Sequence, residues 1–386
     1  MNDAGVSVLR KYGLLLSAIG IVVIRVGAAL FTAHLALSFG KQGPWFRAHH
    51  TSLGDLFDRW DARHYIQIAH FGYSNLDSHA FFPAYPLLIR LISPVFGYPN
   101  AALAVSWLAA VFAVWGVLDV ARRFISLQSS WIVAILFAWN PVSIFFVAGY
   151  PEGLLVATMI WSLRFCLDRK WWQAATLAAV ASIVMPQGVV SALVLGLAVL
   201  LGDRRWVGLF RSVSYVVLGE LGLLGYLVYC WVVTGHPLIV ETASKNGWHS
   251  HVTYPFHTVF SELNSLFASG LSPQIHAVWT LNGIAGALGG VLAVAGLYLC
   301  RRDRRLVLPA TLLALGVLVS VATIEPSLES TGRFIFFLAP LYIIFGVLLD
   351  RIPRVVRLPV GVSVLVISVV LAVLYGVLFN LGWWLT

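Results

Sequence analysis

Charge is scarce in this sequence. Asp, Glu, Lys and Arg make up 11% of its 386 residues, where a soluble domain carries about a quarter. That shortage excludes a water-solvated surface for most of the chain, because no packing hides the 60% of residues that are hydrophobic. Cysteine is scarce too. Cys166, Cys230 and Cys300 lie far apart, which excludes a disulfide framework and a cysteine-based zinc site. No internal repeat is detectable, which argues against a transporter built from repeated halves. A small-residue cleavage site is missing before Lys41, so the apolar run from Leu14 is expected to be a retained first span rather than a signal peptide. The net charge of +9 comes from 25 Lys and Arg against 16 Asp and Glu. In a membrane chain such an excess fixes topology rather than marking a nucleic-acid partner.

What is abundant is apolar sequence of spanning length. The segments 14–39, 101–121, 131–149, 152–168, 171–185, 188–201, 212–234, 279–300, 306–324, 333–350 and 358–382 predict an all-α polytopic membrane protein, one domain over residues 1–386 with about 11 transmembrane segments. Arg10-Lys11, Arg122-Arg123, Arg169-Lys170, Arg204-Arg205, the run 301–305 and Arg351, Arg354 and Arg357 fall at alternate ends of these segments. With a cytoplasmic N-terminus all of them lie inside, as the positive-inside rule requires. This arrangement needs residues 81–97 not to cross, and Pro83, Pro86 and Pro94 support a broken helix along the outer surface. The outer side then holds a large first loop over 40–100 with juxtamembrane helices, and a second over 235–278. Every histidine except His34 falls in these two loops, and most acidic residues follow. Chemistry is expected on the outer face.

The first loop reads Phe57-Asp58-Arg59-Trp60-Asp61-Ala62-Arg63-His64-Tyr65, then Gly72-Tyr73 and His79-Ala80-Phe81-Phe82-Pro83-Ala84-Tyr85-Pro86. Asp58, Asp61 and Tyr65 share one helical face, and a carboxylate beside Trp60 and His64 suits a general base toward a hydroxyl. Local Asp–Arg pairing on a solvated helix explains the same residues. In Asn140-Pro141-Val142-Ser143-Ile144-Phe145-Phe146, continuing to Tyr150-Pro151-Glu152, a span ends and the next begins with Glu152 at its N-terminus. The helix dipole alone favours an acid there. Met185-Pro186-Gln187-Gly188 is a hairpin tip at the same level. In the second loop, Lys245 and His249 amid aromatic residues suit a sugar-phosphate group, although an interfacial aromatic belt looks alike, and the histidine spacings match no common zinc pattern. Arg333 suits a bidentate phosphate contact, or pairing with Glu329 four residues before it. Arg25 and Glu220 lie within spans, where ionisable groups are costly and serve either function or helix joining.

Trp60-Asp61 with His64-Tyr65, Gly72-Tyr73 and His79-Ala80-Phe81-Phe82-Pro83 with Tyr85-Pro86 resembles the GPI mannosyltransferase II (PIG-V-like) family. So does Asn140-Pro141-Val142-Ser143-Ile144-Phe145-Phe146 with Tyr150 and Glu152. The resemblance covers roughly residues 55–165 and, more faintly, Arg333-Phe334. It implies a GT-C glycosyltransferase that moves one sugar, mannose, with inversion from a polyprenyl-phosphate donor to a hydroxyl of a glycolipid or protein. It also implies a first-loop base matching Asp61, with Asp58 its close competitor, oriented by His64 or His79. The donor and acceptor would then meet His79, Phe82, Tyr85, Tyr150, Glu152, Gln187, Lys245, His249 and Arg333. A divalent metal is compatible with this chemistry but not required. One departure stands out: the family's basic pair near the third outer turn is replaced here by Met185-Pro186-Gln187-Gly188. The basic composition and compact length suggest a bacterial plasma-membrane relative. A lipid or sugar transporter and a non-catalytic prenyl-lipid-binding subunit are the alternative readings.

Overall fold

The computed structural model describes residues 3–38, 43, 52–248, 273–322 and 330–383, with backbone alone at 3–11, 37, 248 and 273–278. Those residues form helices and short 3-10 turns, with no strand among them. In chain order the helices are α1 (Asp3–Ser38), α2 (Asp61–Phe71), α3 (Ala84–Phe96), α4 (Tyr98–Ala121), α5 (Leu127–Ala138), α6 (Glu152–Leu167), α7 (Trp171–Ser182), α8 (Val189–Gly202), α9 (Trp206–Gly219), α10 (Leu221–Thr234), α11 (Ile239–Trp248), α12 (Pro273–Leu299), α13 (Val307–Ala322), α14 (Thr331–Phe336), α15 (Ala339–Arg351) and α16 (Arg354–Asn380).

The centre of the bundle is α4 against α6, and small residues bring the two together. A Cβ added to Gly153 would lie 3.2 Å from the Ala110 nitrogen and from the Ser106 carbonyl oxygen. Close backbone approach through Gly and Ala is how helices associate when lipid offers no hydrophobic drive. Large apolar residues point outward on α1 (Leu16, Val23, Ile24, Phe31), α12 (Val291, Val294) and α16 (Val362, Val366, Ile367, Val370), faces suited to hydrocarbon rather than water.

Polar groups gather at the two ends of α6. At its C-terminal end Arg164 pairs with both Asp119 and Asp168, and Arg123 meets Asp168 at 2.8 Å. Nearby helix ends are tied in the same way. Asp350 accepts from the Ser126 N–H at 2.6 Å and pairs with Arg357 at 3.0 Å, joining α5, α15 and α16. Glu152 lies at the other end of α6, twelve residues and about 18 Å away along the axis.

Among the described residues five helices are long and apolar enough to span a bilayer, Tyr12–Ala36, Tyr98–Ala121, Trp279–Leu299, Arg304–Ala322 and Arg354–Asn380, or six if α9 and α10 count as one span bent by 52°. The other apolar segments of the sequence are cut short by turns. Segment 131–149 ends its helix at Ala138 before Asn140-Pro141, and segment 333–350 divides into α14 and α15 ahead of Pro340. Helix α3 buries Tyr85 and Ile89 and exposes Leu87, Leu91 and Val95 along one side, and Gly97 at φ +73 turns the chain into α4. Of the two intramembrane ionisable residues, Arg25 donates to Ser143 Oγ at 2.9 Å and lies 5.3 Å over Trp139. Glu220 occupies the α9–α10 bend.

Candidate active site

Three side chains from distant parts of the sequence meet at the N-terminal end of α6. Asp61 opens α2, immediately after Trp60, whose φ of +47 is unusual for a bulky residue. The Trp60 ring packs edge-on to Phe379 of α16 at 4.9 Å, which holds that turn. Glu152 opens α6 behind Pro151. Both carboxylates therefore sit where a helix dipole favours negative charge. Arg333 lies on α14, just after Ser330 in left-handed conformation (φ +67).

Arg333 joins the two acids. Its Nη1 donates to Asp61 Oδ2 at 2.8 Å and its Nε donates to Glu152 Oε1. The guanidinium lies beside two aromatic rings, 4.8 Å from the Phe145 centroid and 4.9 Å from that of Tyr150, and these rings meet edge to face at 4.8 Å. Side-chain exposure is 5% for Arg333, 1% for Glu152 and 22% for Asp61, so Asp61 is the member a substrate can reach. The second oxygen of Glu152, Oε2, is buried without a hydrogen-bond partner. Burial, reinforced by the Asp61 charge, lifts the Tyr65 and Tyr150 phenols well above their ordinary range, so both remain protonated. Burial lowers His64 below the usual imidazole value against the opposing pull of Asp61, which keeps its ring neutral at pH 7. That ring stacks on Phe81 at 4.8 Å.

Ser106 is the hub behind the site. Its hydroxyl donates to the Tyr150 carbonyl at 2.8 Å, accepts the Tyr150 N–H at 3.2 Å and lies 2.7 Å from Tyr85 Oη. Tyr150 Oη in turn donates to the Arg59 carbonyl at 3.1 Å, linking the Glu152 turn to the approach to Asp61. Ser106→Ala takes the donor from the buried Tyr150 carbonyl and leaves the Tyr150 N–H with the Ala148 carbonyl alone, at 2.7 Å. The expected cost is about 1–3 kcal/mol, read as a lower thermal unfolding midpoint in detergent.

The remaining sequence-predicted residues divide between this cluster and other places. Tyr85 donates to the Ala102 carbonyl at 2.8 Å and buttresses Tyr65 edge-on at 5.3 Å. His79 and Phe82 belong to a neighbouring aromatic group around Tyr226 of α10, whose hydroxyl donates to the His79 carbonyl at 2.8 Å. The His79 Nδ1 faces the Asn75 carbonyl at 3.1 Å, and Nε2 is buried without a partner. Asp58 lies three residues before Asp61, half-buried. Gln187 is buried on the 3-10 turn Pro186–Gly188 with Oε1 unpartnered. Lys245 is on α11, half exposed and paired with Glu241 at 2.8 Å, away from the Arg333 cluster. His249 lies outside the described residues, as does Glu329. No group of three or more metal-ligating side chains occurs among the described residues. Sequence reasoning passed over Phe145 as a wall for Arg333, and also Ser106 and Asn282. Each of the latter two is a polar residue inside an apolar stretch of helix, which was the available signal.

Residues 45–202 match the family described as Mannosyltransferase (PIG-V), a stretch that holds Asp61 and Glu152 but ends before Arg333. GPI alpha-1,6-mannosyltransferase 2 of Rattus norvegicus is 32% identical over 152 residues, covering 36% of this chain and 30% of the rat protein. The Homo sapiens protein of that name gives the same identity and coverage. GPI mannosyltransferase 2 of Drosophila melanogaster is 30% identical over 119 residues, 28% of this chain and 26% of the fly protein. The chain thus matches less than a third of the length of these relatives. The crystal structure of ArnT from Cupriavidus metallidurans bound to undecaprenyl phosphate aligns with 94% of this chain and 76% of its own, with a TM-score of 0.52 at 15% identity, a likeness of fold. Fold and composition together define a helical membrane protein. Within that class, the chain is similar to the PIG-V mannosyltransferases over residues 45–202.

Proposed function

We propose that this protein transfers one sugar, mannose, from a polyprenyl-phosphate donor to a hydroxyl of a glycolipid or protein, on the extracytoplasmic face of a bacterial plasma membrane. The observation that carries the reading is the Asp61–Arg333–Glu152 cluster, in which only Asp61 is open to a substrate. Arg333 engages Asp61 Oδ2 and so presents Oδ1 to the acceptor. Asp61 takes the acceptor proton as the acceptor oxygen bonds to C1 of the sugar. The bond from C1 to the phosphate oxygen breaks on the opposite face, with inversion, and the prenyl phosphate leaves with the electron pair. Glu152 and Arg333 hold the base in place and do not contact the acceptor. No step is routed through a metal.

The topology follows from the same picture. The basic clusters around Arg123 and Arg357 lie at the end of the bundle away from Glu152, which supports a cytoplasmic N-terminus and an outer active site. Shorter and bent helices, including α5, α8 and the α9–α10 pair, would complete the crossings toward 11. The exposed Lys245–Glu241 pair is worth little, so a donor phosphate can draw Lys245 away from its acid.

The test uses full-length protein in lipid nanodiscs, polyprenyl-phosphate [14C]mannose, and a glycolipid fraction or peptide pool as acceptor. A labelled glycoside is the expected product. Donor binding without transfer to either acceptor class would instead favour a prenyl-lipid-binding subunit, and absence of donor binding would favour a transporter.

A further inference from the structure

Arg333 owes its place to a helix too short to hold itself. Helix α14 has six residues, well below the length at which a helix is stable alone, and it follows a left-handed Ser330. Its direction must come from what it docks on, which is α12. A Cβ on Gly289 would lie 2.8 Å from Ile335 Cγ2, and one on Gly332 would lie 3.6 Å from the Ala285 Cβ. Asn282, Ala285 and Gly289 are thus one face of α12.

Asn282 supplies a directional contact on that face. It is a primary amide, 2% exposed, in a mostly apolar helix. Its Oδ1 accepts the Gly332 N–H at 2.7 Å. The fit is exclusive, because a Cβ on Gly332 would come within 2.7 Å of that same oxygen. Gly332 is the residue before Arg333, so any displacement of this contact moves the guanidinium that spans Asp61 and Glu152.

We propose that Asn282 is a positioning residue: through the Gly332 N–H it fixes α14 so that Arg333 reaches both carboxylates at once. This rests on the reading of the cluster as a transferase site. It goes beyond that reading by placing a determinant of activity on α12, outside the matched stretch 45–202.

A double-mutant cycle on the full chain in nanodiscs, with Asn282→Ala, Gly332→Ala and the pair, tests it by two readouts. In hydrogen exchange, Asn282→Ala is expected to speed the Gly332 amide by at least about tenfold, the factor carried by one buried hydrogen bond, with peptides of α4 and α6 unchanged. In transfer kinetics, each single variant is expected to lose roughly tenfold in kcat, with donor KM held within about twofold, the pattern of a misplaced transition-state contact. The pair should lose no more than Gly332→Ala alone, because the atom its methyl strikes has gone. Unchanged exchange at Gly332, additive kcat losses, or faster exchange spread equally over α4 and α6 would each overturn the proposal. If Asn282→Ala does not accumulate, Gly332→Ala probes the same contact from the other side, and unchanged exchange there overturns it too. Wild-type protein that makes no glycoside while the exchange pattern appears would sink the transferase reading and leave the α12–α14 lock standing.

Discussion

Asp61→Asn is expected to lower kcat by about a thousandfold, within the 10²–10⁴ that a positioned general base contributes, while donor binding and thermal stability change little. The amide matches the carboxylate in shape and can still accept from Arg333 Nη1 through its oxygen. Arg333 also keeps Glu152 as its charged partner. What disappears is the ability to take a proton. Asp58→Asn run in parallel separates the two first-loop acids, and its loss should be smaller, because Asp61 is the acid that Arg333 Nη1 engages. Undiminished transfer by Asp61→Asn, with Asp58→Asn inactive, would move the base three residues along the chain. Radiolabel incorporated per minute, normalised to donor-bound protein, is the measurement.

Arg333 should give the largest effect on folding. Arg333→Met removes the cation between two acids and leaves Glu152, 1% exposed, without its counter-charge. Breaking a buried pair from one side costs about 3–5 kcal/mol, so this variant is expected to unfold far below the wild type in a thermal series. Adding Glu152→Gln should recover much of the lost stability, because a neutral amide tolerates the same site without a cation. Activity should stay lost in the double variant, since nothing then orients Asp61. Arg333→Lys should fold and still transfer slowly. A single ammonium carries the charge but cannot lie flat against Phe145 and Tyr150 while donating in two directions. Stability unaffected by Arg333→Met would mean that the cluster does not depend on its cation.

The sequence made the class of protein legible, because charge depletion and spanning apolar runs leave few alternatives. It also singled out Asp61, Glu152 and Arg333, each for a local reason: an acid near a helix start, an acid behind a proline, a basic residue at a span edge. Their meeting was not legible. A periodicity argument sees three or four residues along a helix, so it offered Glu329 to Arg333, whereas the partners described are Asp61 and Glu152. The partner of Lys245 was likewise not legible. Lys245 looked like the lone cation of its loop, yet Glu241 is one helical turn before it and pairs with it. Turns inside apolar runs were not legible either. Asn140-Pro141 and Pro340 end helices that hydropathy alone would continue, because a missing N–H is not visible to a hydrophobicity window.

The Asp61–Arg333 bond joins residues 272 positions apart, and this sets an order of events at the ribosome. At about 5–20 residues per second, Asp61 and Glu152 leave the ribosome well before Arg333 has been translated, Asp61 by roughly 15–55 s. For that interval the nascent chain carries two acids with no cation to meet them, and the helices that present them cannot yet close. Assembly of the active centre is therefore the last act of synthesis. A chain that stops short of α14 holds all of the family-matched sequence and lacks the cation that balances its two acids.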